Sequence, residues 1–194
     1  MGLTRVDDGQ VATIVTHLEM RERPRPAPMP ASMLRLVPWK TPALDAYRTL
    51  FRRVGEDWLW FSRLVMPDAD LAAIIHDPAV SVYAVADPRG VEIGLLELDF
   101  RVAGACELAF FGLVPELTGK GHGKWLMSQA KALAWRKGVE RFWVHTCTLD
   151  SPTALGFYIR SGFTSFLREV EIFADPRLSG HLPRTAAPHA PILG

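Results

Sequence analysis

Glycine occupies three alternate positions of the stretch TGKGHGKW, which runs from Thr118 to Trp125. A strand-like segment, ELAFFGLV, precedes these glycines and a helical pattern follows them. The first amides of a helix lack intrahelical acceptors and favour an anion, and glycine lets them approach it without a Cβ. The stretch therefore predicts a diphosphate site at the backbone of Gly119, Gly121 and Gly123, with charge from Lys120 and Lys124. The alternative is a plain strand-to-helix turn with solvated lysines.

Two common nucleotide motifs do not fit this stretch. A Walker A loop needs a hydroxyl residue directly after its lysine, but Gly121 follows Lys120 and Trp125 follows Lys124. A dinucleotide-binding fingerprint needs a third glycine where Lys124 stands. Because the strands upstream are predicted to be antiparallel, the site favours coenzyme A over ATP or NAD.

The elements that position this stretch follow from hydrophobic periodicity. A strand is predicted at residues 11–20, a helix at 41–54 with Thr41 as its N-cap and Pro42 in its first turn, and a short helix at 68–76. Three antiparallel strands follow, in VSVYAVAD, VEIGLLELDF and CELAFFGLV, with turns at 87–90 and at Ala103–Gly104.

The second half of the chain alternates helices and strands. A helix is predicted at 123–137 with Gly138 as its C-terminal cap, then a strand in RFWVHTCTL, a helix in SPTALGFYIRSG and a strand in FTSFLREVEIF. This order predicts an α+β fold with one sheet. We expect a single domain over residues 1–175, which includes a proline-rich loop at 21–33, and an irregular C-terminal tail at 176–194.

Composition narrows the class of partner and the compartment. The 194 residues carry a formal net charge of +1, which gives no electrostatic case for binding nucleic acid. The near-neutral charge also argues against a strongly cationic substrate. No apolar run approaches the roughly 20 residues of a membrane helix, and no signal peptide is evident. Cys106 and Cys147 make neither a disulfide framework nor a zinc site, and the six histidines lack ligand spacing. We expect a cytoplasmic protein without a bound metal and without a membrane partner.

Two motifs resemble those of the GCN5-related N-acetyltransferase (GNAT) superfamily. The family's acetyl-CoA motif, Gln/Arg-x-x-Gly-x-Gly/Ala, is similar to TGKGHG, with Gly121 and Gly123 in register and Thr118 departing from the first position. A second motif, Asn-x-x-Ala-x-x-x-Tyr-x-x-x-Gly-Phe, resembles SPTALGFYIRSGF, which matches Ala154 and Tyr158 and has Ser151 in place of Asn. The resemblance covers residues 76–174 well and the N-terminal half loosely.

This resemblance implies a fold and a cofactor site. The fold is a mixed, mainly antiparallel central sheet flanked by helices, with strands that splay at the acetyl-CoA site. The strand edge from Phe111 to Val114 is expected to pair with the pantetheine arm, with Gly112 as a bulge position. The expected cofactor-binding residues are Phe111, Gly112, Leu113, Val114, Thr118, Gly119, Lys120, Gly121, His122, Gly123, Lys124, Ser151 and Tyr158.

Acetyl transfer to an amine needs an acid for the departing thiolate and a base for the amine. The resemblance implies that Tyr158 is the acid; the alternative is a core tyrosine on an amphipathic helix. Glu107 is the candidate base, because its position resembles that of the glutamate in histone acetyltransferases, and the alternative is a solvent-facing carboxylate. Glu97, Asp99 and His145 are the further candidates for the base.

Three aromatic residues of the segment DWLWFSRLV, Trp58, Trp60 and Phe61, have two interpretations: the wall of an acceptor pocket or part of the core. The predicted function is acetyl-CoA-dependent N-acetylation by direct transfer to an amine of a small molecule or a protein, by an enzyme that is a monomer or a homodimer. The alternative is a non-catalytic module that binds acetyl-CoA.

Overall fold

Runs of alternating apolar and polar residues become strands in the computed structural model, which describes residues 2–194. These residues form seven strands: β1 (Gln10–Met20), β2 (Arg35–Trp39), β3 (Val80–Ala86), β4 (Glu92–Asp99), β5 (Ala105–Leu113), β6 (Arg141–Cys147) and β7 (Thr164–Ala174). They form five α-helices: α1 (Leu44–Gly55), α2 (Ser62–Val65), α3 (Asp68–Ile75), α4 (His122–Ala134) and α5 (Ala154–Arg160). The α+β fold is therefore as predicted.

All seven strands belong to one sheet, in the order β2-β3-β4-β5-β6-β1-β7. Five of the six neighbouring pairs are antiparallel and β5–β6 is parallel. The parallel pairing extends from Ala105 to Glu107 on β5, opposite Arg141 to Trp143 on β6. Beyond these residues the two strands diverge, which confirms the expected splay.

The first strand lies far from the second in this sheet. β1 fills the position between β6 and β7 and pairs antiparallel with both, whereas β2 is the edge strand at the opposite end. Residues 21–34, which carry the alternating prolines, connect the two strands outside any helix or strand. Proline fixes φ and removes a hydrogen-bond donor, so this connection runs extended across the molecule.

Helices cover both faces of the sheet. Phe110 and Phe111 are adjacent on β5 and therefore point to opposite faces. The Phe110 ring meets Phe51 of α1 edge-on at 4.8 Å, whereas the Phe111 ring stacks on Phe157 of α5 at 5.7 Å. Hence α1 and α5 lie on opposite sides of β5, and the gap between β5 and β6 joins the two sides.

Several predicted details are wrong. Helix α1 begins at Leu44 with Ala43 at its N-cap, so Thr41 does not cap it and Pro42 precedes its first turn. Strand β2 was not predicted. It is short and contains Pro38, which an edge strand tolerates because the missing donor can face solvent.

The bulge on β5 is also displaced from its predicted position. Gly112 pairs regularly with Leu95, whereas the register shifts between Glu97 and Leu98, opposite Phe110 and Leu108. Ala109 is thus the extra residue. Gly112 has a different function: a Cβ there would lie 2.5 Å from Val54 Cγ1, so glycine allows α1 to pack closely on β5.

Helix α4 covers residues 122–134 rather than the predicted 123–137. It ends at Ala134, and Gly138, with φ of +89°, lies in the turn that follows. Its buried residues, including Trp125, Leu126 and Met127, belong to the main core. None of the helices formed by residues 2–194 has the length and apolar character needed to cross a bilayer.

Residues 175–194, which we call the C-terminal segment, contain neither helix nor strand. The segment is nevertheless packed, because Leu182, Ala186 and Ala187 are almost fully buried. They form a second apolar cluster together with Val11 of β1 and with residues near the ends of α1 and β6.

Candidate functional site

A cleft of about 750 Å³ opens where β5 and β6 diverge. Its lining comes from the far half of β5, the glycine turn, α5, the end of β6, and the connection between α1 and α2. Backbone amides and carbonyls of β5 beyond Glu107 have no partner strand on the β6 side. This free strand edge can accept an extended ligand by main-chain hydrogen bonds.

The glycine turn supplies one end of the cleft. Gly119 and Gly121 adopt left-handed backbone conformations, with φ of +77° and +84°, and Gly121 is the N-cap of α4. The Lys124 amide donates to the Gly121 carbonyl at 3.1 Å, whereas within residues 2–194 the His122 and Gly123 amides have no backbone acceptor. These free amides at a helix N-terminus form a cradle for an anion.

Most of the predicted cofactor-binding residues line this cleft. Those that do are Phe111, Gly112, Leu113, Thr118, Gly119, Gly121, Gly123, Lys124, Ser151 and Tyr158. Three do not: Lys120 is exposed outside the cleft, His122 lies beside it, and Val114 is buried in the main core. Ser151 shapes the start of α5, where its hydroxyl lies 3.0 Å from the Thr153 hydroxyl.

Tyr158 lies on α5 with 8% of its surface exposed, and it lines the cleft. Its ring meets Phe111, Phe157 and Phe163 edge-on. No hydrogen bond to its hydroxyl is formed by residues 2–194. Burial, and next the nearby charge of Asp150, raise the pKa of Tyr158, so its hydroxyl is protonated near neutral pH. An unpartnered, protonated hydroxyl in a cleft can donate a proton.

Glu107 and His145 lie across the divergence point from each other. Glu107 Oε1 is 3.5 Å from His145 Nδ1, and both side chains are accessible from the cleft. The Glu107 carboxylate raises the pKa of His145 despite partial burial, and the charges of Asp150 and Glu171 act in the same direction. The two groups form a pair that can exchange a proton with an amine.

This pair continues into a row of ionisable side chains across β6, β1 and β7. The rings of His145 and His17 are 5.8 Å apart, and His17 Nε2 lies 2.8 Å from Glu169 Oε2. Sequence reasoning missed these partners, because they lie on strands whose neighbours cannot be inferred from local pattern.

The other candidate bases have structural partners. Glu97 is fully buried and accepts hydrogen bonds of 2.6 Å from Tyr47 of α1 and from Arg63 of α2. Burial raises the pKa of Glu97, and the Arg63 charge opposes this shift. Asp99 lines the cleft, but it accepts three hydrogen bonds from the Arg101 side chain. Neither carboxylate is free to take a proton from an amine.

Asp150 is a site residue that sequence reasoning did not identify. Its carboxylate accepts hydrogen bonds from the Thr146 hydroxyl at 2.6 Å, the Cys147 amide at 3.0 Å and the Trp60 indole at 3.3 Å. It thereby joins the end of β6 to the aromatic segment between α1 and α2. Its place directly before Ser151 of the second motif was the available signal.

The aromatic residues of the α1–α2 connection contact both the main core and the cleft. Trp60 packs against Phe51 and Phe110 of the main core, at 5.5 and 5.2 Å between ring centroids. Trp58, Trp60 and Phe61 are also half-buried residues of the cleft lining. The side of the cleft that contains Glu107 is therefore aromatic as well as charged.

Comparison with known proteins gives a family match. The model of the acetyltransferase (GNAT) family matches residues 43–163, which is more than half of the chain. No curated protein matches the chain.

Solved structures match the fold at low sequence identity. A GCN5-related N-acetyltransferase from Sphaerobacter thermophilus is 14% identical, with a TM-score of 0.57 over 83% of this chain and 51% of that one. A Drosophila protein is 10% identical, with a TM-score of 0.63 over 86% and 52%. A protein from Novosphingobium aromaticivorans named "putative acetyltransferase from the GNAT family" is 13% identical, with a TM-score of 0.55 over 86% and 67%. The chain spans about half to two thirds of the length of the first structures it matches.

Proposed function

Because the chain belongs to the acetyltransferase (GNAT) family, we propose that it transfers an acetyl group from acetyl-CoA directly to a primary amine. The single observation that carries this proposal is the cleft at the divergence of β5 and β6. It contains a glycine-lined helix N-terminus at one end and a carboxylate–imidazole pair at the other. The acceptor is a small molecule or a protein amine.

The cofactor half of the cleft binds and orients acetyl-CoA in this proposal. The amides of the glycine turn and the Lys124 ammonium hold the diphosphate, as both line the cleft and carry positive charge. The free edge of β5 between Leu108 and Leu113 donates and accepts main-chain hydrogen bonds along the pantetheine arm. An amide of this edge donates to the thioester carbonyl and stabilises the oxyanion of the tetrahedral intermediate.

Glu107 accepts the proton of the attacking ammonium group, with the His145 imidazole 3.5 Å away as its partner. The amine nitrogen then forms a bond to the carbonyl carbon, and the carbon–sulfur bond breaks. Tyr158 donates its proton to the departing thiolate, the nitrogen loses its second proton to water, and water reprotonates the Tyr158 phenolate, so the products are an amide and neutral CoA thiol. In these reaction steps, the groups of the chain that move protons are a carboxyl, an imidazole and a phenol.

The alternative is a module that binds acetyl-CoA without catalysis. Thr118 and Ser151, which depart from the two family motifs, favour it. We further propose that residues 1–175 act as one domain and that the protein is cytoplasmic.

A two-step experiment tests the proposal. Thermal unfolding with acetyl-CoA, CoA, ATP or NAD should show stabilisation by the first two. Release of CoA thiol over a panel of amines then measures catalysis. Stabilisation by ATP alone would contradict a CoA site, and binding without thiol release for any amine would favour the non-catalytic module.

A further inference from the structure

The C-terminal segment packs behind the half of the cleft that contains Glu107. Its buried residues Leu182, Ala186, Ala187 and Ala190 form one apolar cluster with Val11, Leu59 and Leu149. Phe61 and Phe173 pack against the same cluster. The segment therefore supports the α1–α2 connection, the end of β6 and the end of β7 at once.

Arg177 holds this segment in its conformation. It is 3% exposed and forms a two-point ion pair with the buried Asp175, with Nη2–Oδ2 at 2.7 Å and Nε–Oδ1 at 2.9 Å. Its Nη1 donates to the carbonyls of Ala186, Ala187 and Ala190 at 2.8–3.3 Å. One guanidinium thus links Asp175 to three backbone carbonyls of the segment. Arg177 itself does not line the cleft.

Four residues contact the C-terminal segment on one side and the cleft on the other: Leu59, Phe61, Leu149 and Phe173, which we call the acceptor wall. The Phe61 and Phe173 rings stack at 4.8 Å and 28°. The Leu149 carbonyl lies 2.9 Å from His189 Nε2 of the segment, at hydrogen-bond distance.

Leu59 shows how strongly the wall depends on its surroundings. Its φ of +57° is a left-handed conformation that branched side chains rarely adopt, and it is nevertheless 3% exposed. Such a conformation persists where packing over-determines it. The packing at Leu59 comes from the cluster that the C-terminal segment completes.

We propose that the C-terminal segment, held by Arg177, shapes an apolar acceptor wall, and that the acceptor is a primary amine carried on an apolar body. This inference rests on the proposed acetyl transfer. Arg177 is a positioning residue, because it acts through the wall and does not touch the acceptor.

The lining of the acceptor half supports this chemical class. The wall is uncharged, and its two rings lie on the face of the sheet that also presents Glu107 and His145. The cations of this half already have anionic partners, Arg63 with Glu97 and Arg101 with Asp99. Glu107 therefore remains for the ammonium group, together with the exposed Glu171 of the cleft lining, and the apolar body of the acceptor can lie against the wall.

The test compares amines that share a primary amino group and differ in their body. With the full chain, kcat/KM for 2-phenylethylamine and hexylamine should exceed that for ethylamine by about tenfold or more, and should exceed that for spermidine. Arg177→Met should reduce this preference about tenfold through a higher KM for the apolar amines. The ethylamine rate and the KM for acetyl-CoA should stay within about twofold, because neither ligand reaches the wall.

Two further variants keep the test decisive. Arg184→Met is the matched control, because Arg184 is an exposed arginine of the same segment, and it should change nothing. Phe61→Leu leaves the segment and Arg177 in place and should also reduce the preference for apolar amines. If Arg177→Met loses its thermal stabilisation by acetyl-CoA, it has not folded, and Phe61→Leu then tests the amine preference in its place.

The outcomes separate the inference from the proposed function. Equal kcat/KM for ethylamine and the apolar amines, or a preference for spermidine, would overturn the apolar class. An unchanged preference in folded Arg177→Met, with the segment newly sensitive to protease, would overturn the positioning function of Arg177. Absence of thiol release with every amine would instead overturn the acetyl transfer itself.

Discussion

At the scale of single residues, the proposed acetyl transfer depends on a proton acceptor and a proton donor on opposite sides of a strand gap. Glu107 and Tyr158 both line the cleft, as family motifs suggested, yet their environments differ. Glu107 is partly exposed beside an imidazole, whereas Tyr158 is buried among aromatic rings. This contrast places an accessible carboxylate on one side of the gap and a buried phenol on the other.

Replacing Glu107 by Gln should lower kcat/KM by about a hundredfold, since the amine loses its proton acceptor. The same change should lower the pKa of His145, because a neutral amide replaces the carboxylate that raises it. Residual activity that uses neutral His145 would then show its acid limb at lower pH than the wild type. A pH series of kcat/KM measures both effects, and an unchanged rate would exclude Glu107 as the base.

Replacing Tyr158 by Phe should lower kcat by about a hundredfold or more and leave the affinity for acetyl-CoA nearly unchanged, because the ring is retained. Since the pKa of Tyr158 is raised, its proton persists to higher pH than that of a free tyrosine. A fall in the kcat of the wild type at high pH should therefore not reflect deprotonation of Tyr158. Equal kcat values in wild type and variant would show that Tyr158 is not the general acid.

Sequence reasoning located the residues that local motifs mark and missed those that only the sheet brings together. The glycine turn and Tyr158 follow from spacing within a few residues. Asp150 with Trp60, and His17 with Glu169, are pairs separated by 90 and 152 positions. No local period encodes such a pairing.

At the scale of elements, one buried polar cluster joins two helices to the sheet. Glu97 of β4 accepts from Tyr47 of α1 and from Arg63 of α2, and all three are nearly or fully buried. A charged group inside a core is tolerated when its partners are present. Local pattern could not distinguish Glu97 from a catalytic carboxylate, because it stands in an alternating strand like any other glutamate.

Replacing Glu97 by Gln should destabilise the fold by about 3 kcal/mol, because Arg63 would be left buried without a counter-charge. Glu92→Gln on the same strand is the control, since Glu92 is exposed, and it should be neutral. Urea denaturation measures both. A stable Glu97→Gln variant that has lost activity would instead indicate a catalytic carboxylate.

Replacing Gly112 by Ala should cost about 1–3 kcal/mol, because its Cβ would fall 2.5 Å from Val54 and 3.2 Å from Trp60. Gly156→Ala is the matched control: the new Cβ would meet the flexible end of Arg160, which can move. Thermal unfolding compares the two. Equal stabilities would show that α1 does not pack closely on β5 in solution.

At the scale of the whole molecule, the order of the strands was beyond sequence reasoning. Alternation along Val11, Thr13 and Val15 predicted a strand correctly but not its neighbours. Its place between β6 and β7 is determined by pairing with segments more than a hundred residues away, such as Val15 with Cys147. The proline-rich connection predicted an extended loop, but its residues did not indicate that β1 and β2 lie far apart in the sheet.

Cleavage within residues 21–33 should leave a folded protein, because β1 pairs along its length with strands on both sides. We expect the two fragments to co-elute in gel filtration and to retain thermal stabilisation by acetyl-CoA. Their separation under native conditions would show that the connection, rather than the sheet, holds β1 in place.

The position of β1 also has a consequence for how the protein folds. During synthesis β1 emerges first, but its neighbours β6 and β7 follow only after residue 141. Until then an apolar, β-branched segment has no partner. Non-local pairing of this kind slows folding and exposes a strand that can associate with other chains. Refolding of the full chain should therefore be slow and sensitive to protein concentration, and it should improve when chaperones shield the segment QVATIVTHLEM.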